Sequence, residues 1–252
     1  RNPPQLFIDE GEVLVMGVAY GSSTIYQATK GIVQDGLVLN LDAGVKESYN
    51  GGTTLRDLKS NDNGTLENQA SFIKDNGGCF TLDGTDDYIR ILNVANINNS
   101  SISHSYCIWV RPRGNGNVIS ASSSNPQGGW NMPPISVTGG NITGRIWSNT
   151  RHQTSGYTNN TWYYVSLVWN YSATDSERGQ FFYVNGSLVG SQTSIGCYIA
   201  PSHLFLGQAN PGADNAGSLD GDIGPFHLYT NKALTATEVA QNFNVTRHRF
   251  GI

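Results

Sequence analysis

Two acidic stretches concentrate the residues best able to do chemistry, DGTDD (83–87) and LDGD (219–222). Calcium takes several oxygen ligands from carboxylates, carbonyls and amides. Asp83, Asp86, Asp220 and Asp222 are the side chains that would supply them. Neither stretch follows the twelve-residue EF-hand pattern. Both also suit plain turns, since Asp and Gly are favoured there for local backbone reasons. The sequence accommodates either reading. Catalysis is less well provided for. The glutamates are Glu10, Glu12, Glu47, Glu67, Glu177 and Glu238, and none pairs with another acid in an E-x-D-x-x-E arrangement. A glycosidase needs two carboxyls flanking the scissile bond, which distant acids could still supply by converging. There is no G-x-S-x-G elbow, P-loop or dinucleotide fingerprint, and His104, His152, His203, His227 and His248 lack a zinc-ligand spacing. The expectation is a protein that is not an enzyme.

Exposed aromatic rings can serve as sugar platforms, with the pyranose on the ring face and polar side chains on its hydroxyls. Trp130 in QGGWNMPP, Trp147 in GRIWSN and Tyr157 in TSGYTNN are the candidates. Trp109, Trp162 and Trp169 lie in strand-like runs and read as core. The three cysteines, Cys79, Cys107 and Cys197, form no disulfide framework. Cys79 and Cys107 fit buried thiols in strands.

The elements that must carry these groups are short strands. Of the 252 residues only 13% are charged, while Gly, Asn, Ser and Thr abound, which suits strands joined by polar turns. The net charge of −4 makes no electrostatic case for nucleic acid. No apolar run approaches the ~20 residues of a membrane helix. GLVLNLDAG (36–44) alternates, and CFTLDGTDDYIRI (79–91) reads as two strand pieces around an acidic turn. SYCIWVRP (105–112) and NVISASSS (117–124) read as strands, and ISVTGGNITGRIWS (135–148) reads as a hairpin. GTTLRDLKSNDNGTLENQ (52–69) reads as a polar loop with a turn at Asn63-Gly64, and SNPQGGWNMPP (124–134) as an irregular loop. TWYYVSLVWNYS (161–172) precedes a hairpin turning at Asn185-Gly186. HLFLGQA (203–209) and IGPFHLY (223–229) add two strands, with LDGD expected as the turn feeding the second. One short helix is predicted over 234–243, with Thr235 and Glu238 as a capping box and Leu234 stapling onto Val239. Residues 1–35 stand apart as an extended, partly apolar arm that needs cover from the main body or a neighbouring subunit.

The ordered set GLVLNLDAG, NDNGTLEN, CFTLDGTDDYIRI, TWYYVSLVWN, FFYVNGSLVG, LFLGQA and LDGDIGPFHLYTNKALTATEVAQNFN resembles the concanavalin A-like lectin/glucanase superfamily in its laminin-G-like branch, over about residues 36–250. The resemblance implies an all-β fold, a two-sheet antiparallel jelly-roll sandwich with a short C-terminal helix over 36–252 and an N-terminal arm over 1–35. It implies glycan or protein binding, often with calcium, here on Asp83, Asp86, Asp220 and Asp222. The opening GIVQDGLVLNLDAG and closing NFNVTRHRFGI resemble versions on virion surface proteins of tailed bacteriophages. Because the chain has no heptads or shaft repeats, that variant implies a capsid decoration protein ahead of a tail fibre. Its arm would contact other virion proteins or a second copy of the chain. The alternatives are a secreted carbohydrate-binding module and a glycoside hydrolase of the same fold.

Overall fold

The computed structural model describes residues 31–123, 131–147, 149–197, 202–208 and 217–252. The strands in chain order are β1 (Leu37–Leu41), β2 (Thr54–Leu55), β3 (Gly64–Glu67), β4 (Ser71–Ile73), β5 (Cys79–Asp83) and β6 (Tyr88–Ile91). Next come β7 (His104–Pro112), β8 (Gly116–Ser122), β9 (Asn131–Thr138), β10 (Asn141–Gly144) and β11 (His152–Gln153). The last are β12 (Tyr163–Asn170), β13 (Gly179–Val184), β14 (Ser187–Thr193), β15 (His203–Leu206) and β16 (Asp220–Thr230), followed by α1 (Ala236–Thr246). Among the described residues they form two antiparallel sheets of eight strands each. One runs β14-β13-β12-β7-β16-β5-β4 with β1 also on β16, and the other runs β11-β10-β9-β8-β15-β6-β3-β2. This is the expected jelly-roll sandwich.

The strand alternation explains the packing. On β7, Tyr106, Ile108 and Val110 face the second sheet, where Ile89, Ile91, Ile119, Ile135, Val137 and Leu204 meet them in one buried cluster. Cys107 and Trp109 point the other way and enter a second cluster beneath α1. The first sheet is thus covered on both faces, so its central strands read as continuous apolar runs rather than polar alternations. The helix is needed for that cover. It runs for 11 residues, longer than the two turns expected, and its capping box is formed by Thr235 and Glu238. Val239 and Phe243 are buried against Trp109 and Tyr164, and Leu234 joins Val239 in the same cluster. The Trp109 indole stacks on Phe250 at 4.0 Å between centroids, and its Nε1 donates to Thr246 Oγ1 at 2.9 Å. Gly224 allows this approach, since a Cβ there would lie 2.9 Å from Trp109 Cβ and 3.1 Å from Phe250 Cζ.

The hairpin at Asn185-Gly186 forms as expected, with φ of 50° and 77° at its two turn positions. Three sequence expectations are corrected. The 52–69 stretch contains β2 and β3, whose buried apolar residues are only Leu55 and Leu66, too few to make a period visible. Asp220–Asp222 is not a turn but the start of β16, paired on both sides by β5 and β7. The expected loop 124–134 becomes strand from Asn131, and its earlier part lies outside the described residues. Most of the expected arm does too. Residues 31–35 join the main body instead: Val33 is buried, its N–H donates to Asn242 Oδ1 at 2.8 Å, and its carbonyl accepts from the Tyr229 hydroxyl at 3.1 Å.

Candidate functional site

β5 and β6 belong to different sheets. The DGTDD corner between them therefore crosses from one sheet to the other at one end of the sandwich. Gly84 has φ of 78° and passes against Asp220, whose Cβ would lie 2.8 Å from any added Cβ. The Asp83 carboxylate accepts the Thr85 N–H at 2.7 Å, and that bond holds its pKa below the usual carboxylate value. Asp87 turns inward and is buried. Its two oxygens accept from Gln69 N at 2.8 Å and from Asp83 N at 3.3 Å. Asp83 and Asp86 stay exposed, and the three carboxylates bring one oxygen each within 4.8 Å of one another.

Asp83 faces Asp220 across the ladder, so the two acidic stretches meet at this rim, yet their side chains part. Arg113 Nε donates to Asp220 Oδ1 and Nη1 to Asp222 Oδ1, both at 2.8 Å. Its Nη2 reaches Thr81 Oγ1 at 3.0 Å and the Leu82 carbonyl at 2.8 Å. Arg111 takes the other oxygen of Asp222 at 2.5 Å. Asp222 is fully buried and is held between two guanidinium groups as a structural anion. Of the four expected metal ligands, Asp83 and Asp86 share one carboxylate cluster. Asp220 and Asp222 stand outside it, and Asp87, not singled out from the sequence, completes it.

The expected sugar platforms are dispersed. Tyr157 lies beside Asp220 and Tyr163 at the acidic rim, where burial first and the Asp220 charge second push its phenol pKa up. Trp147 follows β10 at the opposite end of the strands, next to Ile146, whose N–H is held by Gln180 Oε1 at 2.7 Å. It is half-buried against the core, with a positive φ of 52° that is unusual for a bulky side chain. Trp130 lies outside the described residues. A buried polar layer not anticipated from sequence lies on the second sheet, formed by Asn117, Ser120, Ser122, Ser136 and Thr143. Ser136 Oγ donates to Asn117 Oδ1 at 2.9 Å and Ser120 Oγ to the Gln208 carbonyl at 3.0 Å. The alternation of serine with Ile119, Ala121, Ile135 and Val137 was its signal. The thiols of Cys79 and Cys107 are buried and inert, pushed by burial up to about 12 and about 11.

A family model described as the concanavalin A-like lectin/glucanases superfamily matches residues 83–240, more than half of the chain. No curated protein matches the sequence. Among solved structures, the Trypanosoma rangeli sialidase in complex with 2,3-difluorosialic acid is similar, with a TM-score of 0.64 and 15% identity over 88% of this chain and 34% of that one. Its complex with sialic acid has a TM-score of 0.61 at 14% identity over 84% of this chain and 33% of that one. The receptor-binding domain of botulinum neurotoxin type G has a TM-score of 0.56 at 17% identity over 84% of this chain and 51% of that domain. This chain thus spans about a third of the length of the sialidase chains. The expectation that the protein is not an enzyme is overturned here, because about a third of the length of solved sialidase chains shares its fold. The match over residues 83–240 establishes that the chain belongs to the concanavalin A-like lectin/glucanases superfamily.

Proposed function

We propose that the chain recognises glycans at its acidic rim, with calcium held by Asp83, Asp86 and Asp87, as part of a virion surface protein. The observation that carries the reading is the convergence of three carboxylates within 4.8 Å at the sheet-crossing corner. That span equals two opposed calcium–oxygen bonds of about 2.4 Å, and hard carboxylate oxygens are the donors calcium prefers. The residues present therefore fit the ion. Calcium bound there would offset most of the negative charge of the corner and offer open coordination positions to sugar hydroxyls.

The chain's own residues do the rest. Asp87 fixes the backbone of Gln69 and Asp83, so the corner is held in place before any ligand arrives. The Thr85 N–H bond favours the ionised form of the Asp83 carboxylate. Arg113 pins the start of β16 and with it Asp220, beside which the Tyr157 ring can stack on a pyranose. The virion setting is supported by the resemblance of GIVQDGLVLNLDAG and NFNVTRHRFGI to phage surface versions of the domain. In that setting the N-terminal arm contacts other virion proteins or a second copy of the chain.

Calorimetry with calcium tests the corner, with one site expected for the full chain and none for Asp83→Asn/Asp86→Asn. A glycan array that includes sialosides, scored for both binding and sugar release, tests recognition. Saturable binding that needs calcium and weakens at least tenfold in Tyr157→Ala supports the reading. Calcium binding without any glycan at millimolar concentration refutes the recognition half.

A further inference from the structure

The first sheet ends in β14, an edge strand of sequence SLVGSQT that carries no charge. Proteins normally blunt such edges with lysine, proline, a bulge or a covering element, and β14 has a bulge at Val189, opposite Phe182 and Tyr183, but neither lysine nor proline. The C-terminal half of β14 is covered: a Cβ on Gly190 would strike the His152 ring, and Gln192 Oε1 accepts the Thr150 N–H at 2.9 Å. The N-terminal half is not. Leu188 is 53% exposed and Val189 39% exposed, the most open apolar pair on adjacent residues in the described chain.

The described chain begins close by and is directed toward this pair. Val33 N–H bonds Asn242 on the buried side of α1. Two residues earlier, the Gly31 carbonyl accepts Gln241 Nε2 at 2.8 Å. Successive helix positions step about 100° around the axis, so Asn242, Gln241 and Ala240 lie in order around α1. Ala240 abuts Gly186 in the turn that opens β14, its Cα 3.5 Å from a Cβ built there. Followed toward the N-terminus, the chain climbs over α1 from the Asn242 side and is aimed at the β14 side.

Thirty residues precede Gly31, and the apolar run VLVMGVAY (13–20) among them is free of charge. Ten residues separate Tyr20 from Gly31, a reach of up to about 33 Å when extended, ample to cross a helix about 10 Å wide. We infer that in the free chain the segment Val13–Tyr20 covers the exposed Leu188–Val189 edge of β14 in the same molecule. The occupant matches the surface in kind, an uncharged apolar segment against an uncharged apolar edge.

Trypsin supplies the test, because Lys30 is the last basic residue before Gly31 and, after Arg1, the only one in residues 1–30. Cleavage at both releases a single peptide, 2–30. The expected result is that this peptide stays with the cleaved full-length protein through gel filtration, at monomer mass and independently of concentration. Leu188→Glu/Val189→Glu is expected to release it and to speed cleavage after Lys30 about tenfold, with the main body still unfolding in a single cooperative transition. Val13→Glu/Val15→Glu leaves the main body intact and is expected to do the same, which keeps the test valid if the strand variant fails to fold. Peptide 2–30 eluting free from the unaltered protein would overturn the inference. So would retention in Val13→Glu/Val15→Glu, or retention only at dimer mass.

Discussion

Acid should destabilise this domain through His227, and the size of the effect follows from where the side chain sits. His227 lies on β16 between β1 and β7, is buried, and has an Nδ1 with no hydrogen-bond partner. Burial pulls its pKa from 6.5 down to about 4; the nearby Asp42 and Arg249 charges act in opposite directions and are themselves paired. A lowered histidine pKa means that the unfolded chain binds the proton first, so stability rises with pH between about 4 and 6.5 and is lost as pH falls through that window. At about 1.4 kcal/mol per pH unit the full shift is worth about 3 kcal/mol, of which about 2 kcal/mol falls between pH 7 and pH 4.5. The perturbation is His227→Gln, which removes the titration and keeps a polar side chain. Urea unfolding of both proteins at pH 7.0 and pH 4.5 gives the difference of differences, in which the other histidines and the carboxylates cancel. Relative to its own value at pH 7, the variant should retain about 2 kcal/mol more stability at pH 4.5 than the parent. Parallel pH profiles for the two proteins would refute the reasoning, because they would mean that His227 accepts its proton as readily folded as unfolded.

Two further outcomes test the packing that positions the rim. Gly224→Ala places a Cβ against Trp109 and Phe250, and thermal unfolding should show a loss of about 1–3 kcal/mol, typical of an overfilled contact. Arg113→Ala removes one guanidinium from the fully buried Asp222 and the guanidinium paired with Asp220; denaturant unfolding should show a loss of about 3 kcal/mol, the lower end for a broken buried pair because Arg111 remains.

The sheet order was not legible in the sequence, but the strands largely were, and the reason is local. An Asn-Gly turn with positive φ at both positions fixes its hairpin wherever the rest of the chain goes, and Thr235 with Glu238 fixes a helix start in the same way. The β5–β6 corner has no such local signature. DGTDD suits a hairpin turn as well as a crossing between sheets, and only the inward faces of Phe80, Leu82, Ile89 and Ile91, all in the inter-sheet core, decide for the crossing. β2 and β3 were lost for a different reason, since a strand with one buried side chain carries no period to read.

The division of the rim acids was encoded in a pattern that reading one stretch at a time cannot detect. Arg111 near the end of β7 and Arg113 just beyond it are two residues apart, and Asp220 and Asp222 are two apart on β16. In a strand that spacing puts each pair on a single face. Antiparallel pairing then sets Gly221 opposite Pro112 and Asp222 opposite Arg111, so two bases meet two acids as soon as the strands are neighbours. DGTDD has no basic pair two residues apart facing it on an adjoining strand. β4 presents Ser71, Phe72 and Ile73 to β5, and the Arg90 of β6 is paired with Glu67. The carboxylates of Asp83 and Asp87 consequently accept from backbone N–H groups rather than from guanidinium groups. Complementary spacing on neighbouring strands consumed one acidic stretch as structure and left the other with carboxylate oxygens facing a common point, which is why the ion-binding proposal rests on the second alone.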